Sequence, residues 1–323
     1  MSPRQPEAPV LLRVMAARWQ AEGVTSYELA CPSGRPLPPW APGAHIDVHL
    51  PSGKVRQYSL CGDPADTSRY RVAVLELLEG RGGSVEVHRE LRPGVSVAVG
   101  LPREDFALVD AERYVFVAGG IGITPILAMV RECERRGKPW ELVYGARTPQ
   151  HFAFTGELVS LGADRIRFLA ADVDGRPDLA AIVKDSEGAA VFCCGPSGLM
   201  DALSAEMADA GRSGDLHLER FAPATPGAGS DLDGGDGFEV ELARSAVLLP
   251  VSADQSILDA IRGAGIEHPS SCEMGFCGTC ETAVLEGVVD HRDDLLTAEE
   301  RAVGDTMMVC VSRAKCRRLV LDL

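Results

Sequence analysis

The sequence predicts a multidomain fold: an antiparallel β-barrel, an α/β domain built on a parallel sheet, and a smaller C-terminal unit. Three observations carry this. Up to about residue 109, short apolar or alternating runs are punctuated by PSG, PG and RPG, the rhythm of an all-β barrel. From Arg113, buried-strand runs alternate with helical ones, which needs crossover connections and hence a parallel sheet. Residues 225–237, TPGAGSDLDGGDG, hold five glycines, three aspartates and one large apolar residue, Leu232, the composition of a flexible linker. The expected domains are 1–109, 110–224 and 238–323, joined by the linker 225–237.

The elements follow in order. SYELAC, AHIDVHL, RQYSL, YRVAVLEL and VSVAVGL are the strands expected in the barrel. YVFVAG is a buried strand, ITPILAMVRECERRG an amphipathic helix, and WELVYGA, IRFLAA and VFCCG are further strands with helical segments between them. In the third unit, FEVELA, AVLLPV, MMVCVS and RLVLDL read as strands and SILDAIRGAG as a helix. TAEE, Thr297–Glu300, is a capping box that opens another short helix.

Composition excludes some functions. With 47 acids against 32 bases, the formal charge is −15, the wrong sign for nucleic acid. The N-terminal stretch lacks a signal-peptide h-region and no run reaches the length of a membrane span, so a cytoplasmic protein with no membrane contact is expected. Ten cysteines in a reducing compartment are not expected to form disulfides. Cys31, Cys61, Cys133, Cys193, Cys194 and Cys316 lie in settings that suit small buried hydrophobes.

The remaining four cysteines are spaced Cys272-x4-Cys277-x2-Cys280, with Cys310 after a further 29 intervening residues. Zinc takes paired CxxC motifs or cysteines with histidines, whereas one CxxC plus a distant fourth thiol is the plant-type [2Fe–2S] pattern. Gly275 and Gly278 fit a loop that turns its amides toward sulfur. A zinc knot and a CxxC redox pair are the competing readings, and the four-cysteine spacing disfavours both.

Two kinds of phosphate-binding turn precede that motif. GRGGS, Gly80 to Ser84, leads into an expected helix at Ser84–Leu91, so free amides and the Arg81 guanidinium make an anion site. AGGIGITP places Gly119, Gly120 and Gly122 at a strand-to-helix turn with Pro125 in the first helical turn, and Cys194-Gly195-Pro196 repeats the arrangement. Each turn alone has an ordinary structural explanation, because Gly-Pro turns commonly end strands.

RQYSL, GRGGS, GGIGITP and CCGP, in this order and followed by the cysteine motif, resemble the phthalate dioxygenase reductase family of the ferredoxin-NADP reductase superfamily. The similarity extends from Pro42 through Val309 and beyond. It implies an FMN-binding barrel, an NAD-binding α/β domain and a C-terminal β-grasp ferredoxin domain. Arg56, Gln57, Tyr58 and Ser59 would line the flavin, with Val74 beside it. Arg81, Gly82, Gly83 and Ser84 would hold its phosphate. Thr124 would touch flavin and nucleotide, and Phe221 would lie near the flavin. Gly120, Gly122, Thr124, Pro125, Cys194, Gly195 and Pro196 would bind NAD. Cys272, Cys277, Cys280 and Cys310 would ligate the cluster. Arg147, after the second α/β strand, departs from the NADH expectation because an arginine there suits a 2′-phosphate, so NADPH stays open.

The resemblance implies transfer from NADH through FMN and the cluster to a terminal oxygenase component. A Rieske-type oxygenase is favoured over a cytochrome P450, and the chain itself is expected to be a monomer. No acid–base residue is assigned: His45, His49, His88, His151, His217, His268 and His291 have no motif around them. An iron–sulfur sensor would not need two nucleotide turns, and a reductase that releases free flavin would not need the cysteine domain.

Overall fold

The computed structural model describes residues 9–78, 82–221, 237–253, 255–270, 273, 275, 278–293 and 295–323. The chain divides into two compact units, Met1–Phe221 and Ala222–Leu323.

The first unit opens with β1 (Val10–Ala21) and β2 (Val24–Ala30), an antiparallel pair joined at Gly23. The sequence pattern does not predict β1. Leu12 and Val14 face inward, but Leu11, Met15 and Trp19 stand on the outer face at 57, 55 and 71% exposure, so the period-two alternation is hidden. β3 (Ala44–His49), β4 (Val55–Ser59), β5 (Tyr70–Leu75), α1 (Gly83–Glu90), β6 (Ser96–Val99) and β7 (Arg103–Glu104) complete this half. The sheet order is β4-β3-β6-β1-β2-β5, with β7 also on β3, and a bridge between Leu60 and Val72 joins its two ends into a barrel. Tyr27, Leu29, Ile46, Val72 and Val97 fill it, and Val87 and Leu91 plug it from α1. Glu86 fixes α1: its carboxylate accepts from Ser52 N at 2.9 Å and Ser52 Oγ at 2.6 Å, in the β3–β4 turn.

The second half alternates β8 (Tyr114–Gly119), α2 (Ile123–Arg136), β9 (Trp140–Ala146), α3 (Thr155–Gly162), β10 (Ile166–Ala170), α4 (Leu179–Asp185), β11 (Ala190–Cys194), α5 (Ser197–Asp209) and β12 (Leu216–Glu219). All pairings are parallel, in the order β10-β9-β8-β11-β12. The chain winds outward from β8 through β10, then returns to place β11 on the other side. The switch point therefore lies between β8 and β11, where open α/β sheets bind ligands. One core layer joins α2 and α3 to one face, and a second joins α4 and α5 to the other. Glu157 of α3 couples this half to the barrel. It accepts two bonds from Arg71 on β5, at 2.8 and 2.9 Å, and pairs also with Arg131 of α2.

The second unit contains β13 (Phe238–Leu242), β14 (Val247–Val251), α6 (Ile257–Gly263), β15 (Glu281–Glu286), β16 (Val289–Asp290), α7 (Ala298–Val303), β17 (Thr306–Met308), β18 (Arg313–Ala314) and β19 (Arg318–Leu321). Its mixed sheet runs β14-β13-β19-β15-β17, with β13 and β19 parallel. Ile257, Leu258 and Ile261 of α6 pack with Val240, Val251 and Leu319 of the sheet, the β-grasp arrangement. Ser256–Asp259 and Thr297–Glu300 are both reciprocal capping boxes.

Cys310 corrects one expectation. MMVCVS is not a continuous strand: β17 ends at Met308, and Ser312 N donates to Met308 O at 2.9 Å across a turn that contains Cys310. The run is apolar because Met307, Met308 and Val309 are core residues, which periodicity cannot tell from a strand. Residues 225–236 of the expected linker lie outside the described residues. No helix among the described residues is long and apolar enough to cross a membrane.

Candidate functional site

The expected phosphate site is built by β4 and α1. Gly82, in the left-handed region at φ 76°, is the N-cap of α1 and has no side chain to satisfy the first amides. Arg56 packs against the start of the helix: a Cβ at Gly83 would stand 2.4 Å from Arg56 Nε. A guanidinium beside open helix amides fits a phosphate. Ser84 lies in the first turn of α1, and its hydroxyl accepts from Leu77 N at 2.9 Å, so holding the preceding loop. Arg81 lies outside the described residues.

Further along β4, Tyr58 is half-buried and burial pushes its phenol well above its ordinary value, so it stays neutral. Gln57 points the other way, its amide 3.2 Å from His45 Nε2. Val74 is buried on β5 within the barrel core. Ser59, at the end of β4, donates to Glu219 Oε2 at 3.3 Å. Thus the β4 strand end reaches the carboxyl end of the parallel sheet.

There the two glycine turns interlock. A Cβ at Gly122 would lie 2.2 Å from Cys194 O and 2.8 Å from Gly195 N, and one at Gly119 would lie 2.6 Å from Pro196 Cδ. A Cβ at Gly195 would approach Gly119 Cα to 2.9 Å. Backbone therefore packs on backbone across the switch point, which leaves the mouth between β8 and β11 lined by main chain. Gly120 differs, with φ 54° and nothing within 4 Å of a Cβ. Tyr144 supports that turn by donating to Gly120 O at 3.1 Å. Thr124 is buried and donates to Ile121 O at 3.0 Å, so it closes the turn internally, and Pro125 is buried in the first turn of α2. Cys194 Sγ lies 4.0 Å from Glu219 Oε2. Burial raises this thiol well above its ordinary range, which keeps it protonated and removes it as a nucleophile.

Glu219 is a site residue that sequence reasoning missed. A single glutamate at a strand end carries no spacing signal, and only its place two residues before Phe221 hinted at it. Loss of hydration pushes its pKa up to about 8, against the Ser59 hydrogen bond that favours the charge. Its folded pKa is above the unfolded value, so its stabilising contribution is present in acid and lost as pH rises toward about 8. The cofactor-free Glu219→Gln variant is expected to match the parent at low pH and to melt higher above pH 8, as thermal melts across pH would show.

Phe221 is half-buried, packed against the core that unites barrel and sheet. Arg147 is exposed at the carboxyl end of β9, and its carbonyl accepts from Asp172 N at 3.2 Å, beside the end of β10.

In the second unit, Cys280 and Cys310 are both buried, and Val309 N lies 3.4 Å from Cys280 O, so the two thiols sit on adjoining backbone. Gly275 and Gly278 have φ values of 79° and 73°. A Cβ at Gly275 would stand 2.6 Å from Val311 Cγ2 and 3.0 Å from Asp293 Cα, so conformation and space both demand glycine there, while at Gly278 the positive φ does. Arg262 of α6 donates to Glu273 Oε1 at 2.8 Å and to Ser270. Cys272 and Cys277 themselves lie outside the described residues. The glycine geometry and the paired buried thiols fit a small sulfur-ligated cluster.

A barrel with a phosphate-type site, a parallel sheet with a nucleotide-type switch point and a cysteine-rich β-grasp unit define a class, the pyridine-nucleotide oxidoreductase that carries its own iron–sulfur module. Comparisons agree. Residues 116–205 match the oxidoreductase NAD-binding domain, and residues 240–315 the 2Fe-2S iron-sulfur cluster binding domain. The chain is 45% identical to the phenoxybenzoate dioxygenase subunit beta of Ectopseudomonas oleovorans, with all of both chains covered. The solved phthalate dioxygenase reductase, described as a modular structure for electron transfer from pyridine nucleotides to [2Fe–2S], superposes with a TM-score of 0.82 at 37% identity, covering 98% of each chain. An intact type IV self-sufficient cytochrome P450 monooxygenase matches at 42% identity and a TM-score of 0.75, covering all of this chain and 43% of that one. This chain belongs to the phthalate dioxygenase reductase family and is an oxidoreductase with NAD-binding and 2Fe–2S-binding domains.

Proposed function

We propose that the chain is the NADH-dependent reductase component of an oxygenase system, passing electrons from NADH through FMN and a [2Fe–2S] cluster to a Rieske-type terminal oxygenase. One observation carries this reading: the β4 strand end and the interlocked Gly119–Gly122 and Cys194–Pro196 turns converge on Ser59 and Glu219. A flavin and a nicotinamide held there would meet. FMN is favoured over a dinucleotide flavin because Arg56 against the start of α1 offers a single phosphate site.

A bound flavin accepts the two electrons of a hydride together and yields them singly to a one-electron centre. The protein's part is positional. Arg56 and the amides of Gly83 and Ser84 hold a phosphate, while Tyr58 and Val74 flank the ring. The turns at Gly120, Gly122, Cys194, Gly195 and Pro196 would present main chain to the nicotinamide, because Gly122 and Gly195 have no Cβ to hold the two turns apart. The neutral carboxyl of Glu219 offers Ser59 a partner without placing a fixed charge beside the ring. Thr124 and Pro125 shape the α2 turn beneath the nucleotide, and Phe221 borders the flavin. Cys272, Cys277, Cys280 and Cys310 hold the cluster, and the domain limits 1–109, 110–224 and 238–323 assign one cofactor to each part. The Rieske partner is favoured because the relatives covered over their whole length include a dioxygenase subunit. In the P450 match, this chain spans under half of the longer protein.

Acid extraction with chromatography, together with iron and sulfide assays, tests the reading. One FMN, two irons and two sulfides per chain are expected; FAD, or zinc without iron after anaerobic purification, would overturn it. NADH is expected to be preferred over NADPH in kcat/KM. Arg147→Ala is expected to lower kcat/KM for NADPH about tenfold, the loss of one charge-assisted contact, and to leave NADH within about twofold. A preference for NADPH that vanishes in Arg147→Ala would reverse the nucleotide assignment.

A further inference from the structure

Beneath the cysteine loop lies a carboxylate that no cysteine motif announces. The Asp293 side chain is fully buried. Its Oδ2 accepts from Leu296 N at 3.0 Å and its Oδ1 from Ser312 Oγ at 3.2 Å. Ser312 stands two residues after Cys310, and its hydroxyl also accepts from Arg292 N at 3.1 Å. On the other side, a Cβ at Gly275 would lie only 3.0 Å from Asp293 Cα, so Gly275 rests directly on this residue. The segment continues to Leu295, which supports Gly278, two residues before Cys280. Asp293 and its segment thus touch Gly275, the Gly278 turn before Cys280 and the Ser312 turn after Cys310.

The charges around it are few. Arg301 of α7 donates to Asp293 O at 2.5 Å, and its nearest approach to the carboxylate is 3.9 Å, too long for a direct hydrogen bond. His291 Nδ1 lies 3.6 Å from Oδ1, and among the described residues neither of its ring nitrogens has a hydrogen-bond partner. The carboxylate therefore takes close hydrogen bonds from two neutral donors, while Arg301 is 39% exposed and screened by water. A buried, incompletely neutralised negative charge beside an electron-accepting centre opposes the gain of an electron.

We propose that Asp293 is a positioning residue that seats the cysteine loop and, through its charge, lowers the reduction potential of the cluster, with Arg301 acting in the opposite sense. This inference rests on the assignment of the cluster to the four cysteines. Asp293→Asn keeps the shape and one acceptor oxygen but removes the charge, so the cluster becomes easier to reduce. Arg301→Gln removes the counter-charge, so it becomes harder to reduce.

The experiment is an anaerobic redox titration of the cluster in the full chain, followed by electron paramagnetic resonance, with iron per chain measured in each sample. Asp293→Asn is expected to shift the reduction equilibrium about tenfold toward the reduced form, about 59 mV for one electron. Arg301→Gln is expected to shift it a few-fold the other way. Potentials unchanged in both variants, or moved in the same direction, would overturn the proposal. If Asp293→Asn fails to retain iron, the seating role is supported and Arg301→Gln decides the charge role, an unmoved potential overturning it. Iron absent from the unaltered chain would instead refute the cluster assignment.

Discussion

Cys310→Ser is expected to abolish electron delivery to the oxygenase while sparing NADH oxidation with ferricyanide. Cys310 lies in the turn after β17, against the backbone of Cys280, in a core that includes Met307, Met308 and Val309. Serine is smaller and its oxygen is a poor ligand for iron held by thiolates, so the set of four drops to three. The folded unit keeps its apolar core, because a buried serine at this edge costs about 1–3 kcal/mol, whereas losing the cluster removes the one-electron relay altogether. The residues proposed for hydride transfer, from Arg56 to Phe221, all lie in the first unit. The expected result is at least about a hundredfold loss of oxygenase-coupled turnover, the effect of removing an obligatory step, with NADH–ferricyanide kcat/KM within about twofold. Steady-state assays with both acceptors, together with iron analysis, check it.

Gly122→Ala is expected to damage every NADH-dependent activity, and Gly120→Ala to spare most of it. The two glycines are two positions apart in one turn and differ in what a methyl would meet. At Gly122 it would fall 2.2 Å from Cys194 O, with the Gly195 amide at 2.8 Å, and both are backbone that cannot rotate away. The β8 and β11 turns must then separate by about an ångström, which costs about 1–3 kcal/mol as overpacking and about a hundredfold in rate where reacting groups are held in register. At Gly120 the space is open, and only the positive φ of 54° resists a side chain, worth about 1–2 kcal/mol. Thermal melts and NADH–ferricyanide kinetics on the two variants separate close packing from conformational strain. Equal effects would show that the turns do not depend on the close approach seen here.

These contrasts mark what the sequence made legible. The cysteine spacing was legible because metal ligation constrains residue type and interval together. The alternation from Tyr114 to Cys194 was legible because buried parallel strands read as continuous apolar runs, whereas β12, half-buried along its length, was not. β1 was not, since Leu11, Met15 and Trp19 give its outer face the same apolar character as its inner one. The placement of Cys310 was misread because a buried turn and a buried strand share one composition. Among candidate site residues, glycines were easier to read than hydroxyls. The sequence places Ser84 and Thr124 in the right turns, but only geometry shows that their hydroxyls bond to Leu77 and Ile121 within the protein. Glu219 and Asp293 escaped because each acts through partners distant in sequence, Ser59 in one case and Ser312 in the other.

The central claim is that electrons reach the oxygenase only by way of the cluster. All the flavin and nucleotide turns precede residue 222, and all four cysteines follow residue 271. The most direct measurement mixes NADH anaerobically with the flavin-loaded chain, or with a chain ending at Pro226, each in the presence of its oxidised oxygenase, and follows flavin and oxygenase absorbance separately. The expected result is flavin reduction at the same rate in both, with oxygenase reduction confined to the full chain. Reduction of the oxygenase at full rate by the shortened chain would contradict the account.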